Sequence, residues 1–394
     1  MCYNFLVIIL NKIGLIMNKR IPLSTPTMHG NEEKFIKEAF ERNWIAPLGF
    51  NCDSFEAEIE EYLSKRGEEK QYALSLCSGT AALHLAMKLA GVKPGDKVLC
   101  SDMTFCATVN PVSYEGGVQI FVDSEWDSWN MDPRALELAF EKHPDAKVVV
   151  LVDLYGTPAK MDEIQAICDK HNAILIEDAA EAFSATYKGK ACGVFGDYNV
   201  LSFNGNKIIT TSGGGMLLAK TKEMRDKAFF YATQAREATP WYQHEEIGYN
   251  YRMSNIVAGI GRGQLVHIEN HKERKEKIYR RYAEGLKELP VKMNPYLEDT
   301  SPNFWLSCML IDEGCDVDPI SVMRALEAAN VESRPIWKPM HMQPVFAGYE
   351  FVSAEKNPID EQIFARGLCL PSDIKMTEEE QDYVINVIKS CFNK

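Results

Sequence analysis

Apolar positions along this chain follow two rhythms. Short runs rich in Val and Ile, at residues 97–100, 118–122, 147–152 and 173–176, read as strands buried on both faces. Between them, residues 81–89, 133–141 and 161–171 carry apolar side chains at helical spacing. This alternation predicts an α/β fold with a large, mainly parallel sheet and helices on both of its faces. In such sheets ligands collect beyond the carboxyl ends of the strands.

Residues 255–289 continue the helical pattern without a proline, with a charged middle at His271-Lys272-Glu273-Arg274-Lys275. The pattern predicts one long helix linking a large domain, residues 17–265, to a smaller C-terminal α/β domain, residues 266–394. Beyond Pro290, residues 303–311 read as a strand and 319–330 as a helix. A last helix is expected over 378–390, opened by Thr377 and Glu380 at capping-box spacing.

Residues 1–16 stand apart from this pattern. Their apolar run, 5–10, is too short to span a bilayer. A secretory signal would need a basic start and a small-residue cleavage site, and neither is clear. Met17 is therefore expected to be the native start, with 1–16 a non-native or disordered extension. An intact mass of native protein that includes Met1 would refute this.

The formal charge of −13 over 394 residues disfavours nucleic acid and anionic membrane as main partners, because both need a basic surface. The 11 cysteines are odd in number, irregularly spaced and without a Cys-x-x-Cys pair. They point to reduced thiols in a cytoplasmic protein. No Cys or His set has zinc-ligand spacing, so no metal is expected.

Three segments carry candidate chemistry. In Ile174-Leu-Ile-Glu-Asp178-Ala-Ala-Glu181 a strand ends in acids, which places Asp178 either in a ligand crevice or at a helix N-cap. In Ser202-Phe-Asn-Gly-Asn-Lys207-Ile-Ile-Thr-Thr-Ser-Gly-Gly-Gly215, Lys207 lies among small polar and apolar residues. Desolvation there would favour a nucleophilic amine, whereas a lone lysine is more often a surface residue. The triple glycine counts against the surface reading. It calls for close backbone packing beneath a ligand, or for a reversal with positive φ. In Leu74-Ser-Leu-Cys-Ser78-Gly79-Thr80-Ala-Ala-Leu83 a strand turns into a helix start, which is either a phosphate cradle or a plain N-cap. Together the three supply what pyridoxal 5′-phosphate (PLP) requires: an amine to form an imine, a carboxylate for the pyridinium nitrogen, and a phosphate cradle.

With Gly248-Tyr-Asn250-Tyr-Arg252-Met-Ser, these motifs resemble the DegT/DnrJ/EryC/StrS sugar aminotransferases, which have the aspartate-aminotransferase fold (fold type I). The likeness runs in order from about Ile21 to the C-terminus. Asn43-Trp-Ile-Ala-Pro-Leu-Gly49, Thr233-Gln-Ala-Arg-Glu237 and Arg334-Pro-Ile-Trp-Lys-Pro-Met-His341 are most similar to the branch serving bacillosamine biosynthesis. That branch aminates UDP-4-keto-6-deoxy-N-acetylglucosamine.

The resemblance implies that Lys207 holds the cofactor aldehyde and that Asp178 pairs with the pyridinium. It implies that Gly79, Thr80 and Ser202 bind the phosphate, joined by Asn250 from the second subunit of a homodimer with shared active sites. Phe105 would stack on the ring, or be a core aromatic. Glu181 lies where relatives often carry Gln or His near the 3-hydroxyl, so it is expected to be protonated or to act through a water. L-Glutamate is the implied amino donor, and the UDP-linked keto sugar the acceptor. Arg236, Arg252 and Arg334 are candidates for the diphosphate, or for structural ion pairs. His341 is a candidate contact to sugar or donor, or a packed histidine, and Trp44 would shape the sugar pocket.

Other keto sugars on UDP, GDP or dTDP remain alternatives. The sugar 3-dehydratase branch is disfavoured by Lys207, since a histidine stands there in that branch. A non-catalytic PLP-binding protein is disfavoured by the joint presence of Lys207 and Asp178. A dinucleotide-dependent dehydrogenase is disfavoured because no Gly-x-Gly-x-x-Gly follows a strand.

Overall fold

The computed structural model describes residues 19–67 and 70–392, so residues 1–16 and the Met17 start lie outside the described residues. The main sheet is built from β1 (Tyr72–Leu76), β2 (Lys97–Ser101), β3 (Val118–Val122), β4 (Val148–Val152), β5 (Ile174–Asp178), β6 (Tyr198–Ser202) and β7 (Gly215–Ala219). Its order is β1-β7-β6-β5-β4-β2-β3, closed at one edge by Phe351–Val352 from late in the chain. β7 runs antiparallel to both neighbours, and the pairs from β6 across to the edge strand are parallel. Every residue of β4, β6 and β7 is buried, as expected for strands covered on both faces. The α/β class with a mainly parallel sheet therefore holds.

A second, antiparallel sheet joins Val291–Met293, Ser307–Ile311, Gly367–Leu370 and Arg334–Pro335. Its core gathers Met309, Ile311, Leu368 and Leu370 with Val322, Leu326, Val384 and Ile388 from two covering helices. Ile21 reaches the same core from the start of the chain and pairs with Val331. The expected capping box is formed: Thr377 N donates to Glu380 Oε2 at 2.9 Å, and Glu380 N donates to Thr377 Oγ1 at 3.2 Å.

Two sequence expectations change. The single helix over 255–289 is two helices, Asn255–Leu265 and Ile268–Leu286. Different packing partners separate them. The first lays Gly259, Gly261 and Gly263 so tightly against the helices Asn31–Glu41 and Phe50–Ser64 that a Cβ at Gly263 would meet the backbone of Glu32. The second turns Ile278, Tyr282 and Leu286 onto the second sheet. The strand over 303–311 shrinks to Ser307–Ile311. Asn303 leaves it because its side chain donates to the carbonyls of Glu181 and Phe183, both at 2.8 Å. Phe304 then turns with φ +53°.

Candidate active site

Parallel strands point their carboxyl ends the same way, and here those ends enclose one cavity of about 300 Å³. Gly79 and Thr80 reach it after β1, Thr104 and Phe105 after β2, Val152 at the end of β4, Asp178 at the end of β5 and Ser202 at the end of β6. Lys207 enters from the loop between β6 and β7.

Ser78 caps the helix Gly79–Leu89, its hydroxyl accepting from Ala81 N at 3.0 Å. The amides of Gly79 and Thr80, in the first turn, have no acceptor within the helix and carry the positive end of its dipole. Of the two readings of the triple glycine, close packing is the one seen. A Cβ on Gly215 would run into the backbone of Ser78 and Gly79, and one on Gly214 into the Thr211 hydroxyl. The left-handed residue is Ser212, at φ +73°.

Asp178 is almost wholly buried. Its Oδ2 accepts from the Thr108 hydroxyl at 2.6 Å, and its Oδ1 from Ala180 N at 3.1 Å. Burial pushes the carboxyl above the usual range, against the pull of the Thr108 hydrogen bond and the Lys207 charge. Glu181 is pushed up by burial in the same way, with Lys207 again opposing. Glu181 Oε2 accepts from Tyr155 N at 2.8 Å, while Oε1 faces Lys207 Nζ at 3.5 Å. Lys207 Nζ lies 4.1 Å from the ring centroid of Trp305. The site thus holds one amine and two acids in a poorly solvated space. Such a space strengthens charge interactions and favours proton movement between these groups.

The chain matches the DegT/DnrJ/EryC1/StrS aminotransferase family over residues 26–389. EpsN of Bacillus subtilis, named a pyridoxal phosphate-dependent aminotransferase, is 46% identical over 383 residues, covering 96% of this chain and 97% of that protein. GDP-perosamine synthase of Escherichia coli O157:H7 is 33% identical over 375 residues, covering 95% and 99%. The crystal structure of a DegT DnrJ EryC1 StrS aminotransferase from Brucella abortus superposes with a TM-score of 0.84 at 27% identity, covering 93% of this chain and 96% of that one.

This chain belongs to the DegT/DnrJ/EryC1/StrS family. It is a PLP-dependent sugar aminotransferase of fold type I. The cavity fits that cofactor on three counts: a lysine amine inside it, a buried carboxyl at the end of β5, and glycine backbone at a helix N-terminus, where a Cβ on Gly79 would press on Ser202 at 3.2 Å. Bound PLP supplies an aldehyde for an incoming amine and a protonated ring that takes up electron density from carbon.

In this aminotransferase the fold brings Lys207, Asp178, Glu181, Gly79, Thr80, Ser202 and Phe105 around one cavity. Phe105 sits at its mouth, half exposed, with its ring 5.4 Å from that of Trp337. The remaining expected residues do not line this cavity. Asn250 is exposed, on a segment that bridges to Thr233. Trp44 donates its indole N–H to Leu48 O at 2.7 Å. Arg236 lies over the Tyr242 ring at 4.4 Å. Arg252 is buried, its Nη1 2.8 Å from Glu56 Oε1. Arg334 is exposed and pairs with Glu332 at 2.8 Å. His341 bonds Asp102 through Nδ1 and stacks on Phe351 at 4.0 Å.

Sequence reasoning did not single out Trp305, Trp337 or Thr108. Trp337 stood in plain view between Arg334 and His341, whereas Thr108 and Trp305 belong to no motif. Among the described residues, no helix is long and apolar enough to cross a membrane.

Proposed function

We propose that this aminotransferase moves the amino group of L-glutamate to C-4 of a nucleotide-linked 4-keto-6-deoxy sugar, UDP-2-acetamido-2,6-dideoxy-4-keto-hexose. The observation that carries the amino transfer is the convergence of the Lys207 amine and the Asp178 carboxyl on one cavity, and the UDP sugar rests on the likeness of residues 43–49, 233–237 and 334–341 to the bacillosamine branch. In this reading Lys207 holds the cofactor. Freed by the donor, its amine would carry a proton from the glutamate α-carbon to the former aldehyde carbon of the cofactor. In the second half-reaction it returns a proton at C-4 of the sugar. Asp178 keeps the ring nitrogen protonated. Gly79, Thr80 and Ser202 hold the phosphate, Phe105 covers the ring, and Glu181 stands near the 3-hydroxyl.

The reading includes a homodimer in which Asn250 completes the partner's phosphate site. Its support is the exposure of Asn250 outside its own cavity, beside Trp241, Tyr242 and Ile247, which are 63%, 78% and 83% exposed. Apolar area of that kind on one segment marks an interaction surface. Arg236 is on the same segment, which makes it the arginine best placed to serve a partner's diphosphate.

A GDP-linked keto sugar is the second reading, favoured by the relatives named GDP-perosamine synthase at 32–34% identity. The test offers the purified enzyme UDP-4-keto-6-deoxy-N-acetylglucosamine or a GDP-linked 4-keto-6-deoxyhexose, with glutamate, and reads the product by NMR. A new C-4 amine on the UDP sugar supports the first reading, and one on the GDP sugar alone replaces it. Lys207→Ala must remove both turnover and the lysine-dependent visible band. Mixing Lys207→Ala with Asn250→Ala subunits must restore activity if sites are shared.

A further inference from the structure

Behind the cavity lies a second set of hydrogen bonds that the reaction does not use. It starts on one face of the helix Ile268–Leu286, where His271 and Lys275 stand one turn apart. Both are buried, at 2% and 3% exposure. Lys275 Nζ donates to Trp305 O at 2.9 Å, Ser372 O at 2.8 Å and Ser24 Oγ at 3.2 Å. Three neutral acceptors thus take all three donors of a buried ammonium.

Trp305 passes this restraint on. Its indole Nε1 donates to Asn206 O at 2.7 Å, and its ring lies beneath Lys207 Nζ. On the other side of the lysine, His271 Nδ1 is 2.7 Å from Ile208 O. A carbonyl only accepts, so Nδ1 carries the hydrogen. Neutral His271 must then accept at Nε2, where His29 Nε2 stands 2.7 Å away as the donor. The tautomers of both rings are therefore set by the carbonyl beside Lys207.

We propose that Lys275 and His271 are positioning residues for Lys207, fixing the backbone carbonyls of the residues on its two sides, Asn206 through Trp305 and Ile208 directly. The proposal rests on the reading that Lys207 is the cofactor lysine. The physical reason is geometric. Lys207 lies on a loop rather than on a strand or helix, and a reacting amine misplaced by about 1 Å loses about a hundredfold in rate. Two carbonyl anchors flanking one residue restrict the backbone from which its side chain swings. Burying an amine against neutral acceptors alone does not add to stability. The charged and titratable neighbours of the pair are His29, His267, Glu32 and Arg274 on the histidine side, and Asp373 and Lys375 on the lysine side.

The test compares Lys275→Met, Lys275→Arg, His271→Leu and His271→Asn with the wild-type holoenzyme. Asparagine keeps a donor near the position of Nδ1, and leucine removes it. The readouts are amide hydrogen exchange over residues 204–210 with and without cofactor, and the rate at which glutamate bleaches the visible band. Borohydride reduction followed by peptide mapping locates the lysine that carries the cofactor. Lys275→Met and His271→Leu should raise exchange in that loop about tenfold. They should slow the bleaching about a hundredfold at saturating glutamate, while the adduct stays on Lys207. His271→Asn and Lys275→Arg should recover most of both. Wild-type exchange and bleaching in Lys275→Met and His271→Leu, with the adduct on Lys207, would overturn the positioning role alone. An adduct on another lysine would overturn the Lys207 reading itself. Where Lys275→Met does not accumulate, the His271 pair decides by the same two readouts.

Discussion

Lys207 Nζ stands 3.5 Å from Glu181 Oε1, and the two side chains are 12% and 4% exposed. At this distance, in a poorly solvated space, the carboxyl and the amine interact directly. Burial raises the Glu181 carboxyl, and the lysine charge draws it back. Glu181→Gln removes that titrating partner and keeps the shape. The midpoint of the pH titration of the visible band should then fall, because the carboxylate that favours a protonated partner is gone. A spectrophotometric titration of the two holoenzymes checks it. An unmoved midpoint would remove Glu181 from the proton balance of the site.

Thr108 donates to Asp178 from a short turn after β2. A hydrogen bond to a charged, buried acceptor contributes about 1.5–3 kcal/mol. Thr108→Val should therefore weaken PLP retention by about tenfold to a hundredfold, read as a higher apparent Kd when apoenzyme is titrated with PLP. Equal affinity in the two proteins would show that the hydroxyl does not support the proposed pairing of Asp178 with the cofactor ring.

Arg252 and Glu56 form a buried ion pair that also engages Ser75. Glu56 Oε2 also pairs with Arg225 at 2.9 Å, so removing Arg252 costs at most about 3–5 kcal/mol, the cost of a buried charge left unpaired. Arg252→Met should lower the urea midpoint of the enzyme strongly, while the protein that stays folded keeps a near-normal KM for the sugar nucleotide. Burial raises the Glu56 carboxyl, but the Arg252 charge and the Ser75 hydrogen bonds outweigh burial and leave it below its usual value of 4.5. The advantage of wild type over the variant should therefore be full above that value and shrink as pH falls through it. A raised KM with unchanged stability would instead return Arg252 to the diphosphate.

Lys275 gives a pH slope of the same sign, in a higher pH range. Burial pushes its ammonium down to about 7 from 10.5. Between these values the unfolded chain binds more protons than the folded one, so this group makes stability rise with pH. Lys275→Met lacks that contribution. Relative to wild type, the variant should be more stable at pH 6 than at pH 9, by denaturant unfolding at each pH. A difference independent of pH would mean that the buried group keeps its ordinary pKa.

Much of the fold was legible because its signals are local. The strand at 118–122 and the helix at 161–171 have the boundaries that their apolar spacing predicts. Lys207, Asp178 and the Ser78-Gly79-Thr80 turn were each marked by immediate neighbours, since a strand end, a helix start and a glycine run are properties of a few consecutive residues. Arg252 could not be read this way. Its partner Glu56 is 196 positions away, and a motif containing an arginine does not tell an anion site from an ion pair.

The order of strands and helices, and the residue types that PLP chemistry requires, were determined by the sequence alone. Tertiary structure decided how these come together. It split the long helix in two by giving each half a different surface to bury. It ended a strand early because the Asn303 side chain is needed by the carbonyls of Glu181 and Phe183. It also set Trp305 under Lys207 and bonded Trp305 O to Lys275. Patterns of three to seven residues encode local conformation, whereas hydrogen bonds between distant segments exist only once the chain has folded.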